Sequence, residues 1–205
     1  HLRPRRQRQM CIRDRLSALR SGNISVRHNN GFLITPSGKK YSSLKVKDIV
    51  FVSLDGKYEK KYKPSSEWRF HQDIYIKKKD AQAIVHTHST NATALSVHKK
   101  PIPAFHYMVA LAGGNDIKCA KYATYGTREL SKNILKALNN RKACLIANHG
   151  QIAFDKNLPD AFELAQEVEN LSLQYITALK LGKPKILSIN EMNKVLKKAK
   201  NYKRG

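Results

Sequence analysis

Ala83-Ile84-Val85-His86-Thr87-His88 is the stretch on which the reading of this chain turns. An apolar run enters a His-Thr-His string, and the pattern predicts a strand over 83–88. Side chains two apart on a strand leave the same face of the sheet. His86 and His88 therefore present two imidazoles side by side, a geometry suited to gripping one metal ion.

Short strands and turns lie upstream of this segment. Asn23–Arg27 and Phe32–Thr35 alternate as half-buried strands joined by a hairpin turn at Asn29-Asn30-Gly31. Ile49–Leu54 is a further strand, closed by Asp55-Gly56. Pro64-Ser65-Ser66-Glu67 is expected to open a helix running to Lys77, with serine caps and the carboxylate in the first turn. Downstream, Thr90–Val97 and Thr127–Asn139 read as helices, the second capped by Thr127. Ala143–Ala147 is a buried strand leading to Asn148-His149-Gly150. Leu158–Leu181 is one long helix, with Asp160, Glu163, Glu167 and Glu169 on its polar side and Gly182 and Pro184 after it. A basic helix over 190–201 follows. Strands mixed with several helices, without an internal repeat or a dividing linker, give a single domain of α/β or α+β type.

The 205 residues suit one domain with one core. No stretch reaches the apolar length of a membrane span, so no membrane role is expected. Cys11, Cys119 and Cys144 form no paired framework, which points to a reducing compartment, read as cytoplasmic. The formal charge of +24 raises the question of nucleic acid. Lysine is spread through almost every segment instead of forming one stripe, so the charge reads as solvated faces and no nucleic-acid partner is expected. Residues 1–20, HLRPRRQRQMCIRDRLSALR, are different: Arg-rich, Lys-free and almost without periodicity. They are read as a non-native or disordered basic head, set apart from the orderly body of the chain at residues 21–205.

His149 ends a buried strand in a turn attributed to Gly150, and Glu67 stands at a helix start. Three imidazoles and one carboxylate satisfy tetrahedral zinc, given an open position for substrate. The chain also holds His1, His28, His71, His98 and His106, so the residues leave surface or core histidines as an open alternative. Ser21-Gly22-Asn23, Thr35-Pro36-Ser37-Gly38 and Pro64-Ser65-Ser66 are three small polar turns offering hydroxyls and backbone N–H groups to a phosphate. Taken singly, each is equally an ordinary surface turn.

Several strings occur here in the order found in the class II aldolase/adducin family, which the body of the chain resembles over about residues 21–203. They are Ser21-Gly22-Asn23-Ile24-Ser25-Val26-Arg27, Thr35-Pro36-Ser37-Gly38, Pro64-Ser65-Ser66-Glu67-Trp68-Arg69-Phe70-His71, His86-Thr87-His88 and Asn148-His149-Gly150. The likeness continues through Ile102-Pro103-Ala104-Phe105-His106-Tyr107-Met108, Ala112-Gly113-Gly114-Asn115 and Tyr122–Leu130.

The resemblance implies a central, mainly antiparallel sheet flanked by helices, assembled as a homotetramer with active sites at subunit interfaces. It implies one Zn2+ per subunit, held by Glu67, His86, His88 and His149. A sugar phosphate would be bound by Gly22, Asn23, Ser37, Gly38, Ser65 and Ser66. Glu67 would also act as acid/base, and Tyr107 and Tyr202 would serve the site of a neighbouring subunit. The implied reaction is cleavage of a ketose 1-phosphate, of the L-fuculose 1-phosphate type, to dihydroxyacetone phosphate and an aldehyde such as lactaldehyde through an enediolate. The alternatives within the family are a pentulose-phosphate 4-epimerase, an aldolase for another deoxy ketose 1-phosphate, and an adducin-like binding module without catalysis. Epimerase relatives resemble the chain but carry Asp where Glu67 stands, which favours the aldolase. One departure concerns the position two before Gly22, Thr in the aldolases and Arg20 here.

Overall fold

The structure is a computed structural model and describes residues 21–61 and 63–202, with side chains through Ala199. The expectation for residues 1–20 lies outside the described residues.

Seven strands form one sheet: β1 (Asn23–His28), β2 (Gly31–Ile34), β3 (Val50–Ser53), β4 (Ala83–Thr87), β7 (Cys119–Ala120), β8 (Ala143–Ile146) and β9 (Gly150–Asp155). Their order is β3-β2-β1-β4-β9-β8-β7, and a separate ribbon pairs β5 (Ile102–Pro103) with β6 (Asp116–Ile117). All neighbours are antiparallel except β7 and β8, so the mainly antiparallel sheet is as expected.

The sheet is covered on both faces, and β4 shows how the sequence arranges this. All five of its residues are buried, and they divide by parity. Ala83 and Val85 join a core with Leu145, Ala153, Phe162 and Val168. Here α4 (Leu158–Lys180) crosses the sheet, with α2 (Thr90–Ser96) packed beside it. Ile84 points the other way, into a core with Phe32, Phe70, Ile74, Ile152 and Phe154. That core seats α1 (Trp68–Lys77) and α3 (Arg128–Ala137). Each fully buried Phe or Ile contributes about 1.5–3 kcal/mol relative to exposure, so the two layers fix β4 firmly between them. A final helix, α5 (Ile189–Tyr202), packs on the 3-10 helix Tyr107–Ala112.

Four expectations need correction. The helix predicted from residue 64 begins at Trp68, because Ser65–Trp68 is a tight turn in which Trp68 N donates to Ser65 O at 3.0 Å. Glu67 is therefore the N-cap residue, and its side chain makes no capping bond. The turn attributed to Gly150 is made by Asn148, whose φ is 53°, while Gly150 starts β9. β9 itself, the strand that pairs with β4, was not anticipated, and neither were the short strands β5, β6 and β7. Glu169 does not simply face solvent. It accepts from the backbone N–H groups of Asn91 (2.8 Å) and Ala92 (2.9 Å) and so secures the start of α2. The capping of α3 is as expected, with Leu130 N donating to Thr127 Oγ1 at 3.2 Å.

Candidate metal centre

β4 ends one residue before His88, so His86 sits within the strand and His88 just past its end. Their same-side projection brings the two Nε2 atoms to 3.1 Å. The turn between β8 and β9 folds back over this end and delivers His149. Its ring centroid lies 4.9 Å from that of His86 and 4.7 Å from that of His88. Glu67 reaches in from the head of α1: Oε1 is 3.1 Å from His149 Nε2 and Oε2 is 3.2 Å from His86 Nε2. The ligand atoms of Glu67, His86, His88 and His149 all lie within 4.8 Å of one another. The structure thus brings together the four residues predicted as metal ligands.

The surroundings prepare the cluster for a cation. His86 Nδ1 is 2.7 Å from the backbone oxygen of Gln151 and donates to it, which fixes the ring with Nε2 turned towards the centre. Burial, with the nearby His86 and His149, lowers the His88 pKa to about 4, Glu67 opposing, so His88 is neutral near pH 7. Burial pushes the Glu67 carboxyl up, but the charge and hydrogen bonds of His86 and His149 outweigh it and hold it well below the usual carboxylate range. Among the described residues, buried Glu67 Oε1 has no hydrogen-bond donor other than the His149 ring. Ring nitrogens and an ionised carboxylate crowded this closely in a buried place are balanced when a positive charge lies between them. The donor set therefore fits a divalent ion.

Beside the cluster opens a cleft of about 350 Å³. Gly22 and Asn23, Ser37 and Gly38, and Ser65 and Ser66 all line it, with Glu67, His88 and His149 at its floor. The three polar turns, far apart in sequence, thus converge on one space. Asn23 is engaged elsewhere as well: its Nδ2 donates to Glu67 Oε2 at 2.9 Å. Tyr107 is 54% exposed on the 3-10 helix, stacked on His106, and does not line this cleft. Tyr202 is the last residue of α5, and its side chain lies outside the described residues. Tyr122 and Tyr125 line the cleft and were not singled out as site residues from the sequence. Their place in the Tyr-Ala-Thr-Tyr-Gly string was the available signal.

A carboxylate and three imidazoles facing a cleft of hydroxyl-bearing turns is the equipment of a metal-dependent enzyme. The chain matches the model of the Class II Aldolase and Adducin N-terminal domain over residues 6–176, and it belongs to that family. It is 52% identical over 182 residues to a 5-methylthioribulose-1-phosphate/5-deoxyribulose-1-phosphate aldolase of Rhodospirillum rubrum, covering 89% of this chain and 82% of that one. It is 50% identical over 183 residues to an L-fuculose phosphate aldolase of Escherichia coli, covering 89% and 85%. A solved L-fuculose 1-phosphate aldolase superposes with a TM-score of 0.91 at 39% identity, covering 95% of this chain and 93% of the other.

Proposed function

We propose that the protein is a zinc-dependent class II aldolase that cleaves a ketose 1-phosphate, of the L-fuculose 1-phosphate type, into dihydroxyacetone phosphate and an aldehyde. The observation that carries this reading is the convergence of Glu67, His86, His88 and His149 beside a cleft built from three polar turns. Relatives at about half identity bear aldolase names, which supports cleavage over epimerisation. The complete donor set speaks against a binding module that has lost its metal site.

Glu67, His86, His88 and His149 would hold the ion, which supplies Lewis-acid stabilisation of negative charge on substrate oxygens when bound. The turns at Gly22, Ser37-Gly38 and Ser65-Ser66 bind the phosphate and fix the donor half. Cleavage breaks the C3–C4 bond as the C4 hydroxyl gives up its proton and becomes the aldehyde carbonyl. The bonding pair passes into an enediolate; Glu67, ionised at rest, takes up the proton released by the C4 hydroxyl and delivers it to the former C3. In condensation the ionised Glu67 removes that same proton. Asn23 binds and orients Glu67 at Oε2. Tyr107, exposed and away from its own cleft, and Tyr202 at the chain's end serve the site of a neighbour in a homotetramer. The unpaired Cys119 and Cys144 suit a cytoplasmic enzyme.

A second reading rests on the Rhodospirillum rubrum relative: a 5-deoxyribulose 1-phosphate or 5-methylthioribulose 1-phosphate aldolase with the same machinery. Incubating the metal-loaded protein with each ketose 1-phosphate, and measuring dihydroxyacetone phosphate with a coupled NADH-dependent dehydrogenase, tests both. Release from L-fuculose 1-phosphate supports the first reading, and release from the pentulose phosphates alone supports the second. An epimerised sugar phosphate without dihydroxyacetone phosphate overturns both.

A further inference from the structure

A line of polar side chains runs from Glu67 into the core between β1 and α1. Asn23 and Ser25, two apart on β1, project to the same face, and His71 and Tyr75, one helical turn apart on α1, meet them. All four are buried, among Phe32, Phe70 and Ile74. Glu67 Oε2 accepts from Asn23 Nδ2 at 2.9 Å. Asn23 Oδ1 is in short contact with His71 Nε2. His71 Nδ1 lies 2.7 Å from Ser25 Oγ, which lies 2.8 Å from the Tyr75 hydroxyl. Beyond it the Arg27 guanidinium covers the Tyr75 ring at 4.8 Å and donates to the Tyr75 carbonyl at 2.8 Å.

The direction of every bond follows from the first. An ionised carboxylate only accepts, so the Asn23 amide must turn its NH2 towards Glu67. Its carbonyl then faces His71, which must carry its proton on Nε2. The bare Nδ1 takes the Ser25 proton, and Ser25 oxygen takes the Tyr75 proton. A flipped Asn23 amide would aim a carbonyl at the carboxylate and an N–H at a ring N–H, two repulsive contacts at once. Buried polar networks of this kind hold one arrangement because the alternatives leave groups unsatisfied.

We propose that His71 is a positioning residue: through its Nε2–H it locks the Asn23 amide, and the locked amide holds Glu67 in the orientation that serves as metal ligand and acid/base. The proposal rests on that reading of Glu67. Ser25 and Tyr75 act behind His71 by keeping its tautomer. Burial, with His86 nearby, lowers the His71 pKa to about 3 against the opposing pull of Glu67, so the ring is a neutral donor at working pH and not a charge carrier.

His71→Phe removes both hydrogen bonds while keeping a flat ring against Phe70 and Phe32, on which His71 stacks. His71→Gln keeps an N–H donor near the Nε2 position. Three readouts apply: the affinity of the metal-free protein for Zn2+, kcat against KM for the ketose 1-phosphate, and the long-range proton–nitrogen spectrum of the imidazoles in the unaltered protein. The expected result for His71→Phe is a tenfold to hundredfold loss, roughly, in zinc affinity and in kcat, as for other partners of metal ligands. KM should change much less than kcat because the turns at Ser37-Gly38 and Ser65-Ser66 are untouched, and His71→Gln should recover much of the loss. The spectrum should show His71 as the Nε2–H tautomer.

Folded His71→Phe protein with zinc affinity and kcat within about twofold of the parent overturns the proposal, as does an Nδ1–H tautomer for His71. If His71→Phe does not fold, the tautomer and the His71→Gln affinity decide. If the unaltered protein cleaves no ketose phosphate, the aldolase reading fails, while zinc affinity and tautomer still judge the hydrogen-bonded line on their own.

Discussion

The backbone of Gly22 lies directly against the backbone of His86: a β-carbon added to Gly22 would stand 2.4 Å from the His86 carbonyl oxygen. Gly22 also has φ +81°, a region that other residues enter at a cost. The turn proposed to bind phosphate is thus pressed onto the strand that brings in two of the proposed metal ligands, and the two halves of the site share one scaffold. Gly22→Ala is expected to destabilise the protein by about 1–3 kcal/mol and to lower turnover, because the clash is backbone to backbone and cannot be relieved by a side-chain rotation. Urea unfolding of the variant beside the parent measures the first effect. An unchanged midpoint would show that the two segments move apart freely.

Removing the ion should remove the reaction. Dialysis against a strong chelator is expected to abolish ketose-phosphate cleavage, and stoichiometric Zn2+ to restore it. Borohydride added with substrate should trap no adduct, since electron withdrawal comes from the ion and not from a lysine Schiff base. Cleavage surviving complete metal removal, checked by elemental analysis, would contradict the proposed chemistry.

Substitutions at the cluster should separate holding from turning over. His88→Ala removes a ligand from a set of four and is expected to leave the purified protein with little metal. Glu67→Gln keeps a side chain of the same length and retains some metal, but loses the group that moves the proton. Its kcat should fall at least about a hundredfold. Elemental analysis and the coupled assay on both proteins test the division. Equal metal content and equal activity across the pair would remove Glu67 from its assigned place.

The metal-free protein should weaken in mild acid. His71 and His88 titrate in the folded state at about 3 and about 4, below the ordinary histidine value of 6.5. The unfolded chain therefore binds protons that the folded chain does not, and stability falls as pH drops below about 6.5. His71, fully buried, contributes on the order of 4 kcal/mol across that window. The half-open His88 adds less because water screens it. Urea midpoints of chelated protein between about pH 7.5 and about pH 4.5 should decline, and His71→Phe should flatten the decline. A midpoint independent of pH in the parent would mean that these rings are not held neutral.

The parts of the site visible in the sequence were those set by local rules. The two-residue period placed His86 and His88 on one side, and a threonine before Arg128 marked the start of α3. What stayed hidden depends on pairing between distant segments. β9 opens with Gly150 and Gln151, so it lacks the alternation that reveals a strand, and its place is fixed by pairing with β4 and β8. The pairing of Asn23 with His86 across β1 and β4 sets the Asn23 amide beside Glu67. Spacing along the chain gave only a small polar residue in a turn, and so only a phosphate role. Tyr122 and Tyr125 reach the cleft from the segment between β7 and α3, whose path depends on both flanking elements.

The ligands are spread from residue 67 to residue 149 and come from three separate pieces of backbone. No short peptide of this chain contains the full set, so the complete four-residue site exists only once β9 has docked on β4. An ion held by all four would tie the head of α1 to the middle of the sheet, like a rivet through parts that the chain itself leaves far apart.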